Sequence, residues 1–174
     1  MTHTAREART RKTRIRAAVV TATALVTAAT VSVGVSQAGS DKPAHKPTKA
    51  QIAALFNTWN AALQTGDPEK VAGLYAKDAV LLPTVSNKIR TDHAQIVDYF
   101  EHFLQNKPVG KKKTTIVNVL DGNSAIDTGI YQFTLTDPKT GAKRVVEARY
   151  TYEYEKRGGT WLIVNHHSSA MPEG

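Results

Sequence analysis

A change of hydrophobic period near the middle of the chain constrains its fold more than any other feature. Before this point apolar residues recur every three or four positions, as in amphipathic helices, and after it they alternate, as in strands. The later part holds four strand-like segments joined by short, turn-forming links, at 114–120, 124–136, 143–155 and 160–169. Links this short between long strands predict antiparallel hairpins.

Three helices are predicted ahead of these strands. The first follows Thr48, a good N-cap residue, the second begins at Pro68, and the third follows Asp92. A short strand at 78–83 separates the second helix from the third. Helices followed by a meander of strands predict an α+β domain with its helices on one face of the sheet. Gly129, inside a strand-like segment, predicts a bulge or a bend, and a bent sheet against helices encloses a cavity.

The first 38 residues have the pattern of a secretory signal peptide. Six basic residues precede a charge-free stretch at 17–35, and the small residues Ser36 and Ala38 then stand at −3 and −1 of a cleavage site. We expect cleavage before Gly39 and a secreted, extracytoplasmic protein with no membrane attachment. The alternative is an uncleaved anchor, because 19 residues can reach across a bilayer. Residues 39–47 are predicted to be a linker and residues 48–172 a single domain.

The net charge of +8 does not indicate a nucleic-acid partner, because the first forty residues alone carry a net charge of +5. The rest of the chain carries 17 basic and 14 acidic residues, a balance typical of a solvated surface. The run 111–113, three lysines, is interpreted as a solubilising loop. There is no cysteine, so disulfides, thiolate zinc sites and cysteine nucleophiles are excluded. No spaced set of metal ligands or nucleotide-binding loop is present, so neither a metal nor a cofactor is predicted.

Several segments resemble the nuclear-transport-factor-2-like, or cone-fold, superfamily, to which the SnoaL-like proteins also belong. They are Trp-Asn-Ala-Ala at 59–62, Thr-Gly-Asp-Pro at 65–68, Leu-Tyr-Ala-Lys-Asp-Ala-Val at 74–80 and the strand 161–169. Lys-Pro-Val at 107–109 and the His-x-Ser-like ending resemble more closely the association domain of calcium/calmodulin-dependent protein kinase II. Bacterial proteins of this branch are often described as SgcJ/EcaC-type oxidoreductases. The resemblance covers residues 50–172.

The resemblance implies a cone-shaped fold, in which three N-terminal helices pack on a strongly curved antiparallel sheet. It implies a pocket for a small-molecule ligand and a homo-oligomer of at least two copies, because helices cover only one face of the sheet. Kinase activity is not implied, since the glycine-rich phosphate loop and the catalytic motifs of kinases are missing. The kinase association domain lines its pocket with arginines. Here Tyr131 and Tyr152 stand at the matching strand positions, and Arg90 and Arg149 are the only nearby cations.

Asp127 and His167 are the candidate catalytic residues. Asp127 lies in mid-strand between apolar neighbours, where a carboxylate shielded from water can act as a general acid or base. The alternatives are a surface aspartate on the outer side of the sheet, or one paired with an arginine. His167 alternates with Trp161 and Asn165 on one strand face and matches the terminal histidine of the association domain, whereas His166 points the other way and is the weaker candidate.

The candidate ligand-binding residues are aromatic side chains and one amide, which can supply a flat wall and hydrogen-bond donors. They are Trp59, Tyr75, Tyr99, Tyr131, Tyr152 and Asn165. The alternative for the aromatic residues is ordinary core packing. We expect Asp127, Tyr131, Tyr152 and His167 to converge in one cavity, because they share a face across three neighbouring strands.

Three functions remain open from the sequence. The first is an exported module that self-associates and binds a small ligand. The second is a cofactor-free acid/base enzyme acting on a small hydrophobic substrate, such as an SgcJ/EcaC-type oxidoreductase or a SnoaL-like isomerase or dehydratase. The third is a structural protein with a filled cavity. An open, polar-lined pocket that contains Asp127 or His167 favours either of the first two.

Overall fold

The described part of the chain has its helices first and a four-strand meander last, as the two hydrophobic periods predict. The computed structural model describes residues 45–172. The predicted signal peptide, 1–38, and residues 39–44 of the predicted linker lie outside the described residues. Within 45–172, no helix is both long enough and apolar enough to cross a membrane.

Within residues 45–172, each of the three α-helices begins at a side chain that caps its first turn. α1 spans Lys49–Gln64, α2 spans Pro68–Ala72, and α3 spans His93–Phe103 before one 3-10 turn. The Oγ1 of Thr48 accepts a hydrogen bond from the backbone N–H of Gln51 at 3.2 Å, and the Gln51 side chain accepts one from the backbone N–H of Thr48 at 2.8 Å. This reciprocal pair satisfies two backbone donors at the helix start.

In the described part of the chain, five strands form one sheet, in the order β1-β5-β4-β3-β2. They are β1 Tyr75–Leu82, β2 Val109–Val119, β3 Ser124–Thr136, β4 Lys143–Arg157 and β5 Thr160–Ala170. The four strands β2 to β5 pair antiparallel, as their short links predict. β2 begins earlier than expected, so that the lysine run 111–113, predicted to be a loop, belongs to the sheet.

β1 makes the sheet mixed instead of wholly antiparallel, because it pairs with β5 in the parallel direction. Hairpin links fix the relative direction of strands that follow one another closely in the chain. β1 and β5 are separated by most of the domain, so no short link sets their relative direction. The prediction of an antiparallel sheet therefore holds for β2 to β5 and fails at the β1 edge.

The bulge predicted near Gly129 lies in the partner strand. The pairing of β2 with β3 shifts between Lys112 and Thr114, while Gly129 pairs with Thr115. A Cβ atom added at Gly129 would overlap the backbone carbonyl of Thr114. Only glycine allows the two strands to approach this closely at the bulge.

The core lies between the helices and one face of the sheet, here called the inner face. It is dominated by buried aromatic side chains, namely Phe56, Trp59, Tyr75, Phe100, Tyr131, Phe133, Tyr150, Tyr152 and Tyr154. The opposite face, called the outer face, carries exposed apolar side chains such as Ile116 and Val145.

Candidate functional site

A central cavity of about 50 Å³ lies between α1, α3 and the inner face of the sheet. Its walls are mostly aromatic or aliphatic. The lining residues with polar side-chain groups include Thr84, His166, Ser168 and the tyrosines Tyr99 and Tyr131. The cavity extends to Val85 in the loop after β1, whose side chain is 63% exposed. The space therefore reaches the surface beside this loop.

His166 of β5 is the only ring in the cavity lining whose nitrogen lacks a protein partner among the described residues. Its Nδ1 lies 2.9 Å from the hydroxyl of Tyr75, which in turn accepts a hydrogen bond from the Trp59 indole N–H at 3.0 Å. Its Nε2 is buried without a partner. Tyr152 stacks on the imidazole, with 4.1 Å between ring centroids.

Burial, and to a smaller extent the neighbouring His167, lower the pKa of His166 from 6.5 to about 3. The charged imidazolium would lose its hydration in this apolar site, so the neutral ring is favoured. Burial also raises the pKa of the Tyr75 phenol well above its usual value, so Tyr75 keeps its proton. Near neutral pH the three linked side chains, Trp59, Tyr75 and His166, are therefore uncharged.

A chain of hydroxyl groups forms the other polar part of the cavity lining. The Tyr131 hydroxyl donates to Ser168 Oγ, which is also hydrogen-bonded to Thr84 Oγ1. Burial raises the pKa of the Tyr131 phenol. These hydroxyls satisfy one another, so among the described residues the fully buried polar atom of the lining that has no partner is His166 Nε2.

The prediction that His167 faces the cavity is wrong, and the cause is a bulge in β5. Glu153 of β4 pairs with Asn165, whereas the next residue of β4, Tyr154, pairs with Ile163. Val164 is therefore an extra residue, and the alternation of faces changes parity there. His166 takes the inner position that regular alternation would give to His167.

His167 is exposed on the outer face, where it pairs with Thr151 of β4. Asn165 lies at the bulge and is half-buried. It pairs with Glu153, which lies on the outer face because its strand neighbours Tyr152 and Tyr154 point inward. Neither residue is part of the cavity lining. The expected convergence of His167 with Asp127 does not occur, because the two side chains lie on opposite faces of the sheet.

Asp127 lies on the inner face as predicted and is fully buried, but it is outside the cavity lining. Its Oδ2 is 2.9 Å from Lys112 Nζ, and its Oδ1 accepts a hydrogen bond from the Tyr150 hydroxyl at 3.0 Å. Lys112 Nζ also donates to the Ala53 carbonyl of α1 at 2.7 Å and lies 5.3 Å from the ring centroid of Phe56.

Every polar atom of this ion pair has a partner, so the pair connects α1 to β2 and β3 and leaves no site for a substrate. The sequence left two alternatives for Asp127, an exposed surface aspartate or one paired with an arginine. The structure is closer to the second, with Lys112 in place of the arginine. The expected convergence of Asp127 with the cavity residues is thus also wrong. The strand face was assigned correctly, but Asp127 lies too far along β3 to reach the cavity.

The five aromatic residues predicted to bind a ligand divide into two groups in the structure. Trp59, Tyr99 and Tyr131 line the cavity. Tyr75 and Tyr152 lie behind it and contact His166, the first by a hydrogen bond and the second by stacking. Their roles in binding stay predictions.

Neither candidate arginine lies in the cavity lining. Arg90 donates to the Lys88 carbonyl at 2.6 Å, and its guanidinium lies 3.5 Å from Asp98 and 5.7 Å from the Tyr99 ring centroid. Arg149 is exposed on the outer face of β4. The lining that the structure describes therefore offers a neutral imidazole and hydroxyls to a ligand, and no cationic side chain.

The sequence as a whole places the domain in one family. The family model for the calcium/calmodulin dependent protein kinase II association domain matches residues 48–172. The chain belongs to this family. A solved structure from Xanthomonas campestris, described by the same association domain, is 62% identical, with 71% of this chain and 88% of that chain covered and a TM-score of 0.70. No curated protein matches the chain.

More distant structures share the cone fold of this association domain. The association domain of the Caenorhabditis elegans kinase is 14% identical, with 70% of this chain and 95% of that chain covered and a TM-score of 0.58. A nuclear-transport-factor-2-like protein from Salmonella enterica is 19% identical, with 72% and 92% covered and a TM-score of 0.63. At these identities the likeness shows the fold alone.

The sequence does not predict three features of the folded domain: the contact of Thr84 with Ser168, the partial burial of Lys112 and the inward position of His166. Thr84 and Ser168 meet only in the folded domain, because 84 positions separate them. Lys112 was assigned to a loop because lysine runs are usually solvated. His166 and Ser168 lie two residues apart, so their spacing in the sequence indicates that they share one strand face. The sequence does not reveal that the bulge in β5 turns this face inward.

Proposed function

We propose that this association domain is an exported module that self-associates through the outer face of its sheet and holds a small, largely apolar molecule in the central cavity. The observation that carries the proposal is a cavity with aromatic walls in which one buried polar atom, His166 Nε2, has no protein partner. Ligand pockets commonly combine apolar walls with a few placed polar groups. Export rests on the signal-peptide pattern in residues 1–38.

Self-association is supported by the apolar side chains left on the outer face. Ile116 is 62% exposed and Val145 is 60% exposed, and both point away from the helices. Ile126 and Ile130 of β3 lie half-buried on the same face. A second copy could cover these groups, as the family's description as an association domain suggests.

The acid/base enzyme is the less supported function. Asp127 is held in its ion pair, and His167 lies on the outer face. His166 does line the cavity, but with a pKa of about 3 it is a weak base and stays neutral near pH 7. No observation in the described residues favours proton transfer over binding.

The experiment separates the two parts of the proposal with one variant for each. Ala148 is buried and lines the cavity, so Ala148→Leu should fill that space. Ile116→Lys places a charge on the outer face, away from the cavity. Native mass spectrometry of the purified protein then reports the oligomer mass and any retained small molecule.

We expect Ala148→Leu to lose the retained molecule and remain an oligomer, and Ile116→Lys to dissociate and keep the molecule. A folded Ala148→Leu protein that retains as much ligand as the wild type would contradict the cavity as the binding site. A wild-type protein that stays monomeric at micromolar concentration would contradict self-association.

A further inference from the structure

We propose that the ligand is a neutral molecule whose carbonyl oxygen accepts a hydrogen bond from His166 Nε2–H, with its apolar remainder lying toward Val85. The proposal rests on the central cavity being the ligand site. It assigns the class of ligand from the hydrogen-bond order of Trp59, Tyr75 and His166.

The hydrogen-bond order fixes the tautomer of His166. An indole N–H can only donate, so Trp59 uses the Tyr75 oxygen as its acceptor. The phenol hydrogen of Tyr75 then has His166 Nδ1 as its partner. If Nδ1 carried the proton instead, two donors would meet at one phenol oxygen and the buried phenol hydrogen would be left without a partner, which is costly.

With Nδ1 accepting, the ring proton is on Nε2. Tyr75, which holds Nδ1, is not part of the cavity lining, whereas His166 is. Nε2 lies on the side of the ring away from Tyr75, and we assign its N–H as the donor that a ligand in the cavity would reach. The Tyr152 and Tyr154 hydroxyls also lack partners, but neither residue lines the cavity.

The charge of the lining selects a neutral ligand. His166 is uncharged near neutral pH, and the guanidinium of Arg90 is engaged by Lys88 and Asp98 outside the cavity. A carboxylate placed against His166 would be buried without a counterion, which is strongly unfavourable. A carbonyl oxygen accepts the Nε2–H without that cost.

The size of the cavity suits a carbonyl head group. A buried water needs about 10–15 Å³ of cavity volume. The cavity of about 50 Å³ therefore has room for about four waters or for a chemical group of that total size. A larger apolar part extends past Val85 to the surface. Ketones, aldehydes and neutral amides attached to a flat hydrocarbon meet these conditions.

Two probes of the same shape test the carbonyl on the wild-type protein. Acetophenone carries C=O where α-methylstyrene carries C=CH2, and both are titrated while the imidazole nitrogens are followed by NMR of protein labelled with 15N-histidine. We expect acetophenone to bind about tenfold more tightly, the worth of one hydrogen bond. Benzoate should bind more weakly than acetophenone.

The outcomes distinguish this inference from the proposed function. Equal affinity for the two probes would overturn the carbonyl assignment and leave the cavity as a binding site. Binding of neither probe would overturn both. A wild-type spectrum with the proton of His166 on Nδ1 would overturn the tautomer, and with it the assigned ligand class.

A matched pair of variants tests the positioning role of Tyr75. Tyr75→Phe removes the hydroxyl that holds Nδ1, whereas Tyr154→Phe removes a buried hydroxyl that has no partner. We expect Tyr75→Phe to populate the second tautomer and reduce the preference for acetophenone to less than about twofold. Tyr154→Phe should keep the preference of about tenfold. Unchanged tautomer and preference in folded Tyr75→Phe would overturn the role of Tyr75; if this variant does not fold, the wild-type spectrum decides.

Discussion

At the residue scale, two buried polar groups have opposite relations to the cavity. The Lys112–Asp127 pair has a partner for every polar atom, and it is structural. His166 has one nitrogen held by Tyr75 and one without a partner, and it lies in the cavity lining. The free nitrogen, not burial alone, marks His166 as the candidate binding residue.

The ion pair gives the first prediction. Lys112→Met leaves the carboxylate of Asp127 buried without its cation, which should lower the free energy of unfolding by about 3 kcal/mol. Lys113→Met is the matched control, because that side chain is 48% exposed and lies 3.8 Å from Glu147. It should change the free energy by less than about 1 kcal/mol. Urea denaturation measures both, and equal effects would show that the buried pair adds no stability.

His166 gives a prediction about pH. Its pKa is about 3 in the folded protein, and the ordinary value near 6.5 applies to the unfolded chain. Between these values the unfolded chain binds the additional proton, so the contribution of His166 to stability is complete above pH 6.5 and is lost as the pH falls toward 3. The loss approaches about 1.4 kcal/mol per pH unit within that window.

The measurement compares pH profiles of unfolding for the wild type, His166→Phe and His167→Gln. His166→Phe removes this titrating group and should reduce the slope of the profile between pH 3 and 6.5. His167 is exposed on the outer face, so His167→Gln should keep the wild-type slope. A profile unchanged by His166→Phe would refute a buried neutral imidazole.

At the element scale, bulges decide which side chains the strands present. The sequence predicts the three helices and four of the strands well, because period, N-cap residues and turn links are local signals. It predicts the inner face of β3 correctly, from Asp127 to Tyr131, because that strand alternates without interruption. It fails for His167 because the bulge at Val164 depends on the pairing with β4 and has no local signal.

The position of Gly129 gives the third prediction. Gly129→Ala should lower the free energy of unfolding by about 1–3 kcal/mol, because the added methyl group meets the Thr114 carbonyl. Thr134→Ala is the control on the outer side of the same strand. Its effect should stay below about 1 kcal/mol. A Gly129→Ala protein as stable as the control would contradict the close approach of β2 and β3.

At the scale of the whole molecule, the two faces of the sheet differ in what covers them. The inner face packs on the helices and encloses the cavity, and the outer face is left with exposed apolar side chains. Because the two faces are separated by the sheet, ligand binding and self-association should be separable by mutation. The aromatic core, in which Trp59, Tyr152 and His166 contact one another, gives the cavity a rigid wall.

The central claim is that His166, and not His167, lies at the ligand site. The most direct measurement follows the imidazole 15N signals of both residues in the wild-type protein while acetophenone is added. We expect a progressive, saturable shift of the His166 Nε2 signal and none for His167, which lies on the other face of the sheet. A saturable shift confined to His167, or no shift of His166 when the probe binds, would contradict it.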